Sequence, residues 1–434
     1  MTPPPASKGT LLTVSVEEGA LPNIGQGPTY GLLRAPAQIV FGEGCSAGLG
    51  DLVAHLGSRV LVCTDARMSA DPAFGGLVDS LTRAGATVTV YDGVESELPV
   101  PSIEGSMVRL RSHAPEVIVG LGGGSSMDFA KALSVLLAHG GSLRDYYGEG
   151  RVPGPTVPVV AVPTTAGTGS EVTPVAVVTD PDQVLKVGVS SPYLIPAVAV
   201  VDPVLSYGCP PVLTAYTGAD ALAHCVEAFT AIRRPDTASL ATSRVFVGKT
   251  VLTDHYALAG IALIARSLRR AASSTPDEAS RRDMQLAALY GGLAFGTAGT
   301  AGAHAIQYPI GALTHTAHGE GVGLLLPFLM AYNLPERTAE LATIAAVFGE
   351  AAPEPEHSAW AAVTAVRQLM LDVGIRPTLA AMGLREDQLD FVASASMRVT
   401  RLLENNPRPI SEADARAITE AAFLGDLTKL HHGG

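Results

Sequence analysis

The chain changes character once, at about residue 211, and that change limits the folds open to it. From about residue 36 to 205, short β-branched runs alternate with amphipathic stretches. AQIVFGEG (37–44), RVLVCTD (59–65), ATVTVYDGV (86–94), VIVGLGGG (117–124), VPVVAVPTT (157–165) and AVAVVDP (197–203) read as strands, with helical windows at 46–56, 73–84, 102–113 and 126–138. Such alternation predicts an open α/β sheet, with ligands at the carboxyl ends of its strands. Beyond residue 211 the β-branched runs stop. Ala- and Leu-rich windows of helical spacing follow at 212–232, 252–272, 280–304, 320–333, 338–350, 358–373, 386–403 and 411–424, which predicts an all-α second region.

Four residues of that second region describe a divalent-metal site. Asp220 and His224 in GADALAHCVEA (218–228) are an i, i+4 pair, so one helix face presents both. His304 and His318 in AHAIQYPIGALTHTAHG (303–319) are separated by Pro309 and Gly311 and followed by Gly319. These residues predict a helix end, a loop and a new helix start. Such a loop could swing the second pair of ligands toward the first. One carboxylate and three imidazoles, with no thiolate, suit Fe(II), Zn(II), Mn(II) or Co(II) and leave room for a substrate oxygen. Any one such histidine is more often a satisfied core residue, and only the set of four carries weight. His315, three residues from His318, reads as a pocket or surface residue rather than a fifth ligand.

Two glycine clusters compete to cradle a phosphate. Gly42-Glu43-Gly44-Cys45-Ser46-Ala47 matches GxGxxA after a strand, with Asp65 about twenty residues on. The pattern is short, the chain has 46 glycines, and an ordinary strand-to-helix turn explains it as well. GLGGGSSMDFAKAL (120–133) sets three glycines and two serines between an apolar strand and a helix. Bare N–H groups at a helix start favour a pyrophosphate, so this cluster is preferred. PTTAGTGSEVTP (163–174), with small hydroxyl side chains after a strand, suits close approach to a ribose, phosphate or nicotinamide, though a plain Gly/Thr loop fits its composition too. Asp65 ends a strand, where a carboxylate would accept from a ribose 2′-OH, repel a 2′-phosphate and favour NAD over NADP. Arg67 lies two residues on, and a helix N-cap explains Asp65 equally well.

The formal charge of −12 argues against nucleic-acid and anionic-membrane partners. Although 47% of residues are hydrophobic, the most apolar stretches, such as 157–169 and 322–332, are short and broken by Pro, Gly or Thr. They read as buried strands and a core helix. Four widely spaced cysteines without a CxxC pair suggest neither a disulfide framework nor a zinc-thiolate site. The first residues lack the basic end and apolar run of a signal peptide, so a cytoplasmic protein is expected. Three parts follow: a loosely ordered, Pro- and Gly-rich extension (1–35), an α/β dinucleotide-binding domain (36–208) and a helical metal-binding domain (209–434).

GGGSSMDFAKA (122–132), PTTAGTGSEVT (163–173), GADALAHCVEA and AHAIQYPIGALTHTAHG, in that order, resemble the iron-containing (group III) alcohol dehydrogenases. That fold is shared with dehydroquinate synthase and glycerol dehydrogenase. The resemblance covers about residues 36–430. It implies that Asp220, His224, His304 and His318 are metal ligands, with Fe(II) first and Zn(II) second. It further implies that Gly123, Gly124, Ser125 and Asp128 form the pyrophosphate loop, that Thr164, Thr165, Thr168 and Lys186 line the dinucleotide, and that Asp65 holds the acid position of NAD-preferring members. The implied activity is hydride transfer between NAD(H) and a small alcohol, aldehyde or hydroxyacid, in a homodimer or higher homo-oligomer.

One position departs from the family pattern. Many members carry a non-ligand histidine four residues after the third ligand, and here that residue is Tyr308, as in the hydroxyacid–oxoacid transhydrogenase branch. A neutral phenol can donate a hydrogen bond or sit in a proton relay but is a poorer base than imidazole; simple packing in the pocket fits Tyr308 as well. A transhydrogenase is therefore the second reading. A lyase of the dehydroquinate-synthase type is a third, disfavoured by the scarcity of Lys and Arg over 290–330.

Overall fold

The computed structural model describes residues 30–183 and 186–430. All six expected strands form, as β1 (Gln38–Phe41), β2 (Arg59–Cys63), β3 (Thr87–Tyr91), β4 (Val117–Gly122), β6 (Val159–Pro163) and β9 (Val198–Val201). They make one parallel sheet in the order β1-β9-β6-β4-β2-β3. Alternate residues of these runs enter different cores: Leu61, Cys63 and Ile118 on one face, Val60, Val62, Val117 and Val119 on the other. Burial on both faces is why the runs are continuously apolar rather than alternating.

A second, three-stranded sheet was not expected. It comprises β5 (Gly148–Glu149), β7 (Val175–Thr179) and β8 (Lys186–Ser190), in the order β5-β8-β7. VAVVT and KVGVS carry the β-branched pattern of strands, the signal that could have revealed them. Lys186 is thus fixed on a strand, paired with Thr179 across an antiparallel ladder.

Strand order locates the ligand crevice. From β2 the chain moves outward to β3 at one edge, then crosses back past β2 to β4 and continues toward the other edge. The direction reverses between β2 and β4, and their carboxyl ends therefore flank the crevice where open α/β sheets take their ligands.

The region beyond residue 211 is helical, as expected, with its breaks displaced. Helix Glu278–Ala298 stops at Gly299 (φ 91°), and a separate helix, Gly302–Thr314, carries His304. Pro309 does not end that helix. The turn falls at His315, in left-handed conformation, and the next helix begins at His318. The windows 320–333 and 338–350 form one run, His318–Val347, kinked at Arg337 two residues after Pro335. The window 386–403 divides into three short helices.

Of the extension expected to be loose, residues 1–29 lie outside the described residues. Its last residues are tied down: the Arg34 guanidinium donates to the carbonyls of Ala241, Arg244 and Val245, and Tyr30 and Leu32 accept from Val251 and Thr250. Among the described residues no helix is long and apolar enough to cross a membrane, and the four cysteines are free thiols.

Candidate metal centre and dinucleotide crevice

Asp220 and His224 project from helix Pro211–Thr230, as their spacing requires. His304 enters from helix Gly302–Thr314 and His318 from the first position of helix His318–Val347. The Asp220 Oδ1 atom stands 3.8, 3.5 and 3.6 Å from the Nε2 atoms of His224, His304 and His318. Buried Asp220 Oδ1 and His304 Nε2 have no hydrogen-bond partner among the described residues. Buried polar atoms without partners are costly. Four donor atoms of metal-ligating type converging this way fit a divalent ion, which would take up those free lone pairs.

Close backbone approach sets this geometry. A Cβ on Gly319 would stand 2.1 Å from the Tyr216 carbonyl oxygen. Only glycine lets the two helices meet there and carries His318 up to Asp220. His315 is exposed at the turn and does not line the site, so it is a surface residue.

Electrostatics favours the ligand forms of Asp220, His224 and His318. Burial pushes His224 down to about 4 and His318 down to about 3, against the pull of Asp220, which keeps both imidazoles neutral at physiological pH. Burial would raise Asp220, but the three imidazoles hold it well below the usual carboxylate range. Burial also opposes a charged His304, yet Glu227 and Asp220 lift it to about 9. Two buried carboxylates against one ring mark a place prepared for positive charge.

Glu227 was not singled out from sequence. It lies three residues after His224 on the same helix face, a spacing that could have revealed it. Its carboxylate meets His304 Nδ1 at 2.6 Å and accepts from the N–H groups of Ala301 (2.9 Å) and Ala303 (2.7 Å). It therefore caps the third-ligand helix and fixes which ring nitrogen faces the metal. Gln307 does the same for His318, with Oε1 at 2.9 Å from Nδ1. Glu227→Gln is expected to weaken metal binding about 10- to 100-fold, the usual scale for such supports; titration with Fe(II) or Zn(II) reads this, and unchanged affinity would leave Glu227 as a helix cap only.

A cavity of about 230 Å³ joins the four candidate ligands to the sheet crevice. Gly124, Ser125, Asp128, Thr168 and Lys186 line its sheet side, and Tyr308, Phe246, Phe295 and Arg401 stand with the metal ligands. Gly123 follows β4 and precedes helix Gly124–His139, whose N-terminus no side chain caps. A Cβ on Gly124 would stand 2.7 Å from Thr168, and one on Gly123 3.5 Å from Thr165, so the 163–174 loop lies against the helix start. Thr164 is buried beneath that loop. Asp65 follows β2 and its Oδ1 accepts from Met68 N at 2.8 Å, which makes it a helix N-cap. Its Oδ2 faces Gly122, 3.8 Å from where a Cβ there would stand, at the switch between β2 and β4. Both readings of Asp65 are thus compatible with its position.

Asp128 shares the helix start but differs in its engagement. Its two oxygens accept from Ser170 Oγ (2.5 Å) and Val177 N (2.9 Å), bracing the helix against β7. A carboxylate so engaged suits bracing better than direct contact with a phosphate. Lys131, also missed from sequence, lies fully buried beside it. Its ammonium donates to Ser170, Thr173 and Val175, and burial brings it down to about 8. The Lys186 ammonium meets Glu97 at 2.6 Å.

The competing GxGxxA turn is already filled. Asp202, after β9, accepts from Gly44 N (3.0 Å), Ser46 N (3.2 Å) and Ser46 Oγ (2.6 Å). An internal carboxylate occupies the place a phosphate would need, which counts against this turn as a phosphate site.

A crevice at the carboxyl ends of a parallel sheet, opening onto three histidines and a carboxylate, fits a metal-dependent oxidoreductase. Residues 36–203 match the family model of iron-containing alcohol dehydrogenase, and residues 214–423 match the C-terminal model of the same family. The chain belongs to the iron-containing alcohol dehydrogenase family. It is 36% identical to long-chain-alcohol dehydrogenase 1 of Geobacillus thermodenitrificans, over 91% of this chain and 99% of that one. It is 30% identical to the NAD-dependent methanol dehydrogenase of Bacillus methanolicus, over 89% and 98%. The solved structure of a 1,3-propanediol oxidoreductase superposes with a TM-score of 0.84 at 32% identity, covering 90% of this chain and 99% of that one.

Proposed function

We propose that this enzyme oxidises a small alcohol, or reduces the matching aldehyde, with NAD(H) and Fe(II), using Asp220, His224, His304 and His318 as ligands. The observation that carries this reading is the single cavity shared by the four metal donors and the uncapped helix start at Gly124. When bound, the metal acts as a Lewis acid on the substrate oxygen and the nicotinamide exchanges hydride with the neighbouring carbon.

The chain does the rest. The N–H groups at Gly124 and Ser125 would hold the pyrophosphate, with the helix dipole behind them. Thr165 and Thr168 hold the crevice narrow, and Lys186 adds a cation at its mouth. Phe246 and Phe295 wall the reacting end and exclude water. Tyr308 follows His304 by one turn, with its ring 6.1 Å from that of His318. Burial raises its phenol above the ordinary value, against the influence of Arg401. It is therefore protonated at neutral pH and placed to give a proton during reduction; during oxidation it takes one up only by passing its own proton on, as a relay. A cytoplasmic setting, supported by the four free thiols, and a homo-oligomer, supported by the family resemblance, belong to the same reading.

Turnover tests it: Fe(II)-loaded protein should form NADH from NAD and primary alcohols, and a chelator should stop it. Loss of no activity on full removal of metal would overturn the metal role. Cofactor choice is read at Asp65. Asp65→Gly is expected to raise the NADP/NAD ratio of kcat/KM about 5- to 10-fold, the scale of one screened charge contact of about 1 kcal/mol. Glycine costs only a few tenths of a kcal/mol as an N-cap, so stability should barely change. An unchanged ratio would leave Asp65 as the cap alone.

A further inference from the structure

Arg401 stands in the reactive cavity with no direct salt bridge among the described residues, and the Glu149 carboxylate acts on it only through space. It sits on the short helix Thr400–Leu403, and its guanidinium carbon lies 4.5 Å from the centre of the Phe246 ring. It lines the same cavity as Asp220, His224, His304, His318 and Tyr308. Among the described residues no hydrogen bond or ion pair reaches its guanidinium. The neighbouring acids are engaged elsewhere: Glu149 accepts from the N–H groups of Val245 and Phe246, Glu404 meets Arg244 at 3.6 Å, and Glu97 meets Lys186.

Stacking on Phe246 stabilises the cation through its flat face. That leaves the N–H edge to donate, and an arginine's edge matches a carboxylate in two parallel bonds. Beyond Tyr308 and Arg401 a second cavity of about 460 Å³ is lined by Lys186, Arg244, Arg398 and Arg401 and by Glu149 and Glu404; Glu97 pairs with Lys186 and Glu404 with Arg244, which leaves Arg398 and Arg401 without a salt bridge among the described residues. In a chain of net charge −12, this corner runs against the overall sign. Neither an alcohol nor an aldehyde group calls for a cation, and an unpaired half-buried charge is costly.

We propose that Arg401 sets substrate specificity by receiving a carboxylate at the far end of the substrate, so that the preferred substrates are ω-hydroxycarboxylates and the corresponding aldehyde acids. The proposal rests on the reading that the metal end of this cavity holds the reacting carbon. The basic corner beyond Tyr308 then serves as the approach for an anion.

The test uses metal-loaded full-length enzyme. Rates with NAD are compared for a series from 3-hydroxypropanoate to 6-hydroxyhexanoate against the unsubstituted alkan-1-ols of equal length, in wild type, Arg401→Gln and Arg401→Lys. For the best chain length, the acid-over-alcohol ratio of kcat/KM should fall about 10- to 100-fold in Arg401→Gln, the scale of a charge-assisted hydrogen bond, chiefly through KM. Arg401→Lys should recover part of it. A ratio changed less than about threefold, on the same scale, overturns the proposal, because a merely structural arginine would move both substrates together. Calorimetry with the matching alkanoates on the NAD-bound enzyme separates the two readings. Alkanoate binding lost in Arg401→Gln supports the carboxylate site even if no alcohol turns over, whereas dehydrogenase activity with alkanoate binding absent or unaltered by the variant retains the enzyme and removes the site.

Discussion

Replacing His224 with alanine is expected to abolish stoichiometric metal binding and to lower turnover by about a thousandfold or more. Lewis-acid stabilisation contributes several kcal/mol, and each 1.36 kcal/mol is about tenfold in rate. His224 stacks between Phe295 (ring centres 4.1 Å apart) and His304 (4.9 Å), so the substitution opens a small cavity but leaves no charge stranded. The variant should therefore fold. His304→Ala should lose metal equally but also lower thermal stability, because Glu227 keeps its buried charge while losing its imidazole. Adding Glu227→Gln to His304→Ala should recover part of that stability. His315→Ala, at the exposed turn, should keep full metal content. Metal analysis after dialysis decides the matter: an ion retained in His224→Ala would remove His224 from the ligand set.

The second large effect is expected at Tyr308. Tyr308→Phe deletes one oxygen and leaves the ring packed beside His318, so metal content and NAD affinity should hold while kcat falls. A positioned acid or base contributes about 10²- to 10⁴-fold. Because one transition state serves both directions, the proton-transfer step should slow equally in reduction and oxidation. Turnover within about twofold of wild type, set against that scale, would reduce Tyr308 to a wall of the pocket and leave proton movement to water or a ribose hydroxyl.

The parts of this molecule that sequence displayed are those with short-range periodicity. Six β-branched runs gave six strands, because burial on both sheet faces leaves an uninterrupted apolar record. Asp220 and His224 were legible from one helical turn, and His304 and His318 from the glycine and proline between them. The turn fell at His315 rather than at Pro309, whose missing N–H the helix absorbs. What could not be read depends on contacts between distant segments. Nothing near Gly44 announces that Asp202 fills its turn from the far end of the sheet. Glu227 could have been found by helix spacing, but its partners Ala301 and Ala303 belong to another helix. Arg401 lies 83 residues from His318, the nearest candidate ligand in the chain, and reaches the cavity only through the helical fold. The family match supports the motifs as a set. The role of each side chain rests on its surroundings.

The four donor side chains are not equally sheltered. Asp220, His224 and His304 are 6%, 7% and 4% exposed, while His318 is 27% exposed. An ion seated among them would lie in a cup open on the His318 side, beside the turn 315–317. A chelator would meet the ion first past His318, so a substitution in that turn is expected to change the rate of metal loss to a chelator while the three inner donors stay untouched.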